Sequence, residues 1–234
     1  MLVDRYPYQQ LPTFNERRDK MIKACIFDLD GVIVDTAHYH FVAWQRLAKE
    51  LGISFTEKEN ERLKGVSRMR SLEIILEIGG IELSEEEKEK LALRKNGWFV
   101  EYINAIKPEE VFSGVPELLQ SIRSKGIKVG LASSSKNADT VLRLLGIGNM
   151  FDAIVDGTMI VNTKPNPEIF LLAARKLGVV PSDCIVFEDA EAGVEAAIAA
   201  GMKCVGVGLP GQLSTAHEVV RNTADFQLAD LEKF

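Results

Sequence analysis

Short apolar runs alternate with amphipathic segments along most of this chain. The apolar runs are short and carry few polar residues, which is typical of buried strands. They lie at residues 22–27, 128–132, 153–155, 184–187 and 203–207. Helical periodicity fills the later intervals, at residues 115–124, 138–145, 168–177 and 192–200. Strands that are apolar throughout and separated by helices indicate a parallel sheet covered on both faces. The pattern therefore predicts an α/β fold with a Rossmann-like parallel sheet.

The segment from residue 36 to residue 108 breaks this alternation, because it contains no run that resembles a strand. Phe41, Trp44 and Leu47 repeat at helical spacing and give one apolar face. Two capping boxes, which begin at Thr56 and Ser84, each predict the start of a further helix. An all-helical block that directly follows the first strand cannot belong to the sheet, so we expect it to form a separate domain.

That helical domain is expected to lie over the C-terminal edge of the sheet, where open α/β sheets place their ligand crevice. It would then act as a cap over the site. The first part of the chain is polar and shows no hydrophobic period, which predicts a flexible extension. The predicted organisation is a flexible N-terminal extension (1–20), an α/β core (21–35 and 109–234) and an inserted all-helical cap domain (36–108).

Composition narrows the classes of function. Hydrophobic residues make up 46% of the chain and charged residues 26%, which is typical of a globular protein and excludes disordered and collagen-like chains. With 28 basic against 34 acidic residues, the net charge of -6 gives no attraction to nucleic acid. No apolar stretch approaches the roughly 20 residues of a membrane span, and no signal peptide is visible. We therefore expect a cytoplasmic monomer without nucleic-acid or membrane partners.

Two acidic pairs follow predicted strands. Asp28 and Asp30 lie at the end of the first run, where an extended chain directs both side chains to one side. Glu188 and Asp189 follow the fourth run and precede a helix. Carboxylates held close together repel one another unless a cation lies between them. Four acidic groups at neighbouring strand ends indicate a hard divalent cation, Mg²⁺, with ordinary loop carboxylates as the alternative.

Groups suited to phosphate lie at the same predicted edge of the sheet. The run 133–137 (SSSKN) follows the second predicted strand and opens a helix, so its hydroxyls and free backbone N–H groups are placed to bind an anion. Lys164 lies before a proline, just ahead of another helix. Taken singly, the serines are also explained by an ordinary helix cap and the lysine by a solvated surface. Together with a metal, they predict a phosphoryl-transfer site.

The order of these motifs resembles that of the haloacid dehalogenase (HAD) superfamily of aspartyl phosphotransferases. It consists of D-x-D-G-x-x-x-D-T from Asp28, a serine after the second strand, a lysine before proline, and the pair Glu188–Asp189. Within the superfamily the chain most closely resembles the β-phosphoglucomutase family, in the segments FDLDGVIVDTAHYHF, RLKGVSR, LASSSKN, KPNPEIF and FEDAEAGVEA. The segment RLKGVSR, in the predicted cap, discriminates this family from generic phosphatases of the superfamily. The resemblance implies a HAD core with an inserted helical cap.

The resemblance also implies a role for each matching residue. Asp28 would be the nucleophile that becomes an aspartyl phosphate, and Asp30 the general acid and base. Ser133 and Lys164 would complete the catalytic set by binding the transferring phosphoryl group. Mg²⁺ would be held by Asp28, Asp30 (through its backbone carbonyl), Glu188 and Asp189. The substrate would be bound by Thr36, His40, Lys64, Gly65, Val66, Arg68, Ser135, Lys136 and Asn137.

The implied activity is that of an isomerase in carbohydrate metabolism. It would interconvert β-D-glucose 1-phosphate and glucose 6-phosphate through a phosphorylated enzyme and glucose 1,6-bisphosphate. The alternative is a Mg²⁺-dependent phosphatase of the same fold, which acts on a sugar phosphate or another small phosphate ester. Two positions depart from the family pattern: Thr163 stands where Ser is common, and Ala190 stands where Ser is familiar.

Overall fold

The computed structural model describes residues 21–209 and 211–234; the predicted extension at residues 1–20 lies outside them. A six-stranded parallel sheet forms the centre of the fold, with the order β3-β2-β1-β4-β5-β6. Its strands are β1 (Ala24–Phe27), β2 (Lys128–Ala132), β3 (Ala153–Val155), β4 (Cys184–Glu188), β5 (Lys203–Val207) and β6 (Glu218–Val220). The prediction of a Rossmann-like α/β fold is confirmed. The short edge strand β6 is absent from the predicted set, because it has little apolar sequence to distinguish it from a loop.

Eight α-helices occur in the described part of the chain. They are α1 (Ala37–Glu50), α2 (Glu57–Asn60), α3 (Arg68–Gly79), α4 (Glu85–Ile103), α5 (Val115–Ser124), α6 (Ala138–Leu145), α7 (Glu168–Leu177) and α8 (Glu191–Ala199). None of the helices in these residues is both long and apolar enough to cross a membrane.

The sheet is covered on both faces, as apolar strands without alternation require. Successive residues of β1 point to opposite faces. Cys25 and Phe27 join the cluster that α5 and α6 cover, whereas Ala24 and Ile26 join the cluster under α7 and α8. All four of these β1 side chains are fully buried. The middle of the sheet therefore gives rigid support to the residues that follow β1, which begin with Asp28.

Helices α1 to α4 form the insert between β1 and the rest of the sheet. They enclose their own apolar cluster, which includes Trp44, Leu47 and Leu72. Phe99 and Ile103, near the end of α4, instead pack with the cluster beside the sheet. Helix α4 begins at the predicted capping box, in which Ser84 and Glu87 satisfy each other's backbone N–H groups. The insert thus has its own core and rests on the sheet through the last turns of α4.

Candidate active site

A cavity of about 650 Å³ lies between the C-terminal edge of the sheet and the helical insert. Both parts of the chain contribute to its wall. Most of the residues predicted for the site line it: Asp28, Asp30, His40, Lys64, Gly65, Val66, Arg68, Ser135, Lys136, Asn137 and Asp189. The topology therefore brings together motifs that lie far apart in the sequence.

Four other predicted residues lie behind the cavity wall and are almost completely buried. They are Thr36, Ser133, Lys164 and Glu188. Ser133 follows β2, where its hydroxyl oxygen accepts a hydrogen bond from the Ser135 N–H at 3.1 Å. Thr36 precedes α1, and its hydroxyl has no hydrogen-bond partner among the described residues. These side chains support the floor of the site, and the Thr36 hydroxyl remains available to a ligand or a water molecule.

Asp28 and Glu188 are brought side by side by the pairing of β1 with β4. Phe27 lies opposite Phe187 in this register, so the next residue of each strand reaches the same point on the edge. Lys164 lies between the two carboxylates: its Nζ donates to Asp28 Oδ1 at 2.5 Å and to Glu188 Oε2 at 2.7 Å. The other oxygen of Asp28 accepts a hydrogen bond from the Asp30 N–H at 3.0 Å. The Asp28 carboxylate is therefore fixed in position at the floor of the cavity.

The lysine does not balance the negative charge at this point. Asp28, Glu188 and Asp189 each offer an oxygen, and these oxygens lie within 4.8 Å of one another. Burial raises the pKa of Glu188 to about 8 against the attraction of Lys164, and burial together with the charge of Asp28 raises the pKa of Asp189 to about 7. A further cation would stabilise the charged form of these three carboxylates, since Lys164 contacts only two of them, Asp28 and Glu188. A hard divalent ion fits this all-oxygen donor set.

Gly193 makes the position of Glu188 feasible, although it is not among the predicted site residues. A Cβ atom at Gly193 would lie 2.0 Å from Glu188 Cδ, so only glycine lets α8 begin this close to the carboxylate. A glycine inside a helix normally costs stability relative to alanine, about 1 kcal/mol. The sequence carries a signal for this close approach. A glycine lies at the start of a predicted helix, just after an acidic pair, which indicates that the helix backbone lies against one of the two carboxylates.

Asp30 lies on the cavity floor, two residues after Asp28. Burial, followed by repulsion from Asp28, raises the pKa of Asp30 to about 8. Its Oδ1 atom has no hydrogen-bond partner among the described residues. A carboxyl group with this pKa holds its proton near neutral pH and can release it to a stronger base, which is the requirement for a general acid and base.

His40 of the insert lines the cavity beside two basic side chains, Arg68 and Lys95, and Lys95 lies outside the predicted site. The His40 ring stacks on Phe99, and its Nδ1 lies 2.7 Å from Lys95 Nζ. Burial, Lys95 and Arg68 hold the pKa of His40 well below its ordinary value, so the ring is neutral. Burial and Arg68 also lower the pKa of Lys95, while Asp30 opposes this shift.

The buried position of Lys95 has a sequence signal. Lys95 falls at helical spacing with Ala92 and Phe99, on the buried face of α4. A lysine on an apolar face is rarely fully buried unless it has a partner. The register of this helix therefore indicates a lysine that faces the site.

Two hydrogen bonds join the insert to the sheet across the cavity, and both involve residues outside the predicted set. Ser134 donates its hydroxyl to the Gly65 carbonyl oxygen at 3.0 Å. Asn137 Nδ2 donates to Asn96 Oδ1 at 2.9 Å. Gly65, Ser134 and Asn137 lie in predicted motifs, whereas Asn96 does not, and both pairs form only because the insert folds back over the edge of the sheet.

The fold and the arrangement of acidic groups define a class of enzyme. The family model of haloacid dehalogenase-like hydrolases matches residues 22–201, and the chain belongs to this family. A β-phosphoglucomutase of Bacillus subtilis (strain 168) is 49% identical over 209 residues, which cover 88% of this chain and 92% of the relative. At this level of similarity the chain is also a member of the β-phosphoglucomutase family, and it is an enzyme of the phosphomutase type.

Other relatives extend this picture. The crystal structure of a β-phosphoglucomutase from Clostridium difficile superposes with a TM-score of 0.88 at 47% identity, covering 91% of this chain and 96% of that chain. A phosphorylated carbohydrates phosphatase of Thermotoga maritima is 38% identical over 185 residues, which cover 78% of this chain and 83% of the relative. Mutases and phosphatases thus share this fold.

Proposed function

We propose that this enzyme interconverts β-D-glucose 1-phosphate and glucose 6-phosphate through an aspartyl phosphate on Asp28 and a glucose 1,6-bisphosphate intermediate. The observation that carries the proposal is the position of Asp28. Its carboxylate lies at the cavity floor, held by Lys164 and by the Asp30 N–H, with the Asp30 side chain in the same cavity. The named activity of the relatives from Bacillus subtilis and Clostridium difficile supports the choice of sugar phosphate.

In this mechanism Asp28 attacks the phosphorus atom of the bisphosphate in line with the leaving sugar oxygen. Lys164 and those backbone N–H groups of the 133–137 loop that make no hydrogen bond among the described residues neutralise charge on the phosphoryl oxygens, and buried Ser133 holds that loop in shape. Mg²⁺ would be held by Asp28, Glu188, Asp189 and the Asp30 backbone carbonyl, and when bound it supplies further positive charge to the transferring group.

Asp30 exchanges the proton in each half of the reaction. When the phosphoryl group leaves the sugar, the protonated Asp30 carboxyl donates to the departing oxygen. When the second sugar hydroxyl attacks the phosphorus atom, the Asp30 carboxylate accepts the proton that this hydroxyl loses. The raised pKa of Asp30, about 8, makes both protonation states accessible at physiological pH.

The helical segment, residues 36–108, is the part that we propose to act as a cap on the core formed by residues 21–35 and 109–234. It brings Arg68 and Lys64 into the cavity wall, where they would bind the phosphate at the far end of the sugar. The other proposed sugar contacts are Thr36, His40, Gly65, Val66, Ser135, Lys136 and Asn137. A closed cap excludes water, which a mutase needs so that the sugar accepts the phosphoryl group. A cytoplasmic location and a monomeric state remain predictions.

A phosphatase of sugar phosphates is the second candidate, favoured by the Thermotoga maritima relative. One assay separates the two activities: β-glucose 1-phosphate is supplied with Mg²⁺ and a trace of glucose 1,6-bisphosphate, and glucose 6-phosphate and inorganic phosphate are measured separately. We expect glucose 6-phosphate to dominate. Release of inorganic phosphate as the main product would instead identify a phosphatase. Asp28→Asn is the control, since an amide cannot form the phosphorylated enzyme.

A further inference from the structure

Ser134 occupies a different position from its neighbours in the 133–137 loop. Ser133 is buried behind the floor, and the hydroxyl oxygen of Ser135 accepts a hydrogen bond from the Asn137 N–H within the loop. Of the three serine hydroxyls of this loop, that of Ser134 is the one that donates across the cavity, to the Gly65 carbonyl oxygen at 3.0 Å. Ser134 therefore links the sheet to the segment of the insert that carries Lys64 and Arg68.

The backbone of Ser134 is itself held firmly by the sheet side. A Cβ atom at Gly157 would lie 2.2 Å from the Ser134 carbonyl oxygen, so the two backbones are in close contact. The Gly157 N–H also donates to the Ser135 carbonyl oxygen at 3.2 Å. A hydroxyl on such a fixed backbone has a defined position, from which it can hold the facing segment of the insert.

Gly65 meets the sheet side at a second point, the side chain of Ala190. Gly65 has a φ of 72°, and a Cβ atom there would lie 3.1 Å from Ala190 Cβ and 4.0 Å from Lys164 Cδ. Ala190 directly follows the Glu188–Asp189 pair and is buried. Ser134 and Ala190 together form a seat for the Gly65 backbone, directly above the lysine that holds Asp28.

We infer that Ser134 is a positioning residue that seats the 64–68 segment over the floor and thereby favours transfer to the sugar over hydrolysis. The inference rests on the proposed function. In hydrolysis the oxygen of water bonds to phosphorus, the bond from phosphorus to Asp28 breaks with its electron pair on the carboxylate, and the proton of water passes to Asp30. The same steps with a sugar hydroxyl give transfer. Only the exclusion of water separates the two outcomes, and a seated segment excludes it.

Ser134→Ala tests the inference, with Ser124→Ala as the matched control. Among the described residues the Ser124 hydroxyl donates to the Ser121 carbonyl oxygen at the end of α5, and Ser124 does not line the cavity. Phosphorylation of the enzyme by acetyl phosphate and the subsequent hydrolysis are followed in single turnovers with Mg²⁺. In steady state, the ratio of inorganic phosphate to glucose 6-phosphate and the KM for glucose 1,6-bisphosphate are measured.

For Ser134→Ala we expect hydrolysis of the phosphorylated enzyme, the product ratio and the KM to rise by about 2- to 12-fold, the range set by one lost neutral hydrogen bond. Phosphorylation by acetyl phosphate should stay at the wild-type and Ser124→Ala rate. An unchanged hydrolysis rate would overturn the inference. So would a parallel loss of phosphorylation, since the hydroxyl would then act on the phosphoryl group itself.

The proposed mutase function is judged separately in the same experiment. A wild-type enzyme that releases phosphate from acetyl phosphate but makes no glucose 6-phosphate would contradict the mutase function. The comparison of hydrolysis rates would then still decide the role of Ser134.

Discussion

Lys164→Met tests how much the folded protein depends on the cation between two buried carboxylates. Lys164, Asp28 and Glu188 are 2%, 5% and 0% exposed, so water cannot replace the lost charge. The methionine fills a similar volume but leaves both carboxylates unpaired. Removal of one partner from a buried ion pair costs about 3–5 kcal/mol, and we expect this loss in the free energy of unfolding.

The loss should depend on pH in a defined direction. Burial raises the pKa of Glu188 and Lys164 limits it to about 8; without Lys164, the folded protein should keep on Glu188 a proton that wild type releases as the pH passes about 8. Each such proton lowers the stability by about 1.4 kcal/mol for each unit of rising pH. The difference between Lys164→Met and wild type should therefore be larger at about pH 9 than at about pH 7.

Urea unfolding in the presence of a chelator at both pH values measures this difference. Lys90→Met is the matched control, because the Lys90 ion pair with Glu86 is exposed and its loss should not be measurable. A Lys164→Met protein as stable as wild type at the higher pH would refute the reasoning. A loss of equal size at both pH values would also refute it, since no proton uptake would then accompany the substitution.

Three further predictions concern the carboxylates and the cations that face them. Because folding raises the pKa of Asp30 and Glu188 to about 8 and of Asp189 to about 7, the folded state binds more protons than the unfolded state between about pH 4 and pH 8. The free energy of unfolding without metal should therefore fall as the pH rises through this window, and Mg²⁺ should restore it. Denaturant titrations with and without Mg²⁺ measure both effects. A metal-free stability that does not change with pH would contradict the prediction. Asp30→Asn should lower turnover by about 10²- to 10⁴-fold while phosphorylation by acetyl phosphate persists, since only proton transfer to the sugar is lost; near-wild-type turnover would remove Asp30 from the mechanism. Lys95→Met removes a charge that lowers the pKa of Asp30. The limb of the pH profile of kcat/KM that reports Asp30 should therefore move to higher pH. A limb that does not move would exclude an electrostatic effect of Lys95 on Asp30. Lys95 also contacts His40, so the substitution could disturb the packing of the insert. A near-ultraviolet circular dichroism spectrum of Lys95→Met equal to that of wild type would exclude such a disturbance.

Much of the architecture is determined by local sequence patterns. Strands β2 and β3 begin and end where their apolar runs do, because a strand covered on both faces excludes polar residues. Helix α4 begins at the Ser84 capping box, since that motif satisfies backbone groups within four residues. The edge strand β6 depends on its pairing with β5 and has no such local signal. Local sequence patterns are sufficient to predict an element when the contacts that stabilise it lie close in the sequence. They are also sufficient when the element needs only a general apolar surface to pack against.

The site divides in the same way. Asp28, Lys164 and Glu188 are recognisable from the sequence, because each follows a strand or precedes a helix at the edge where parallel strands end together. The contacts of both carboxylates with a single ammonium group, and the raised pKa of Glu188, are decided by the depth of burial in the tertiary structure. The partnership of Ser134 with the Gly65 carbonyl joins positions far apart in the chain and uses a backbone oxygen that every residue possesses. A contact with the backbone leaves no mark on residue type, so only the folded chain reveals it.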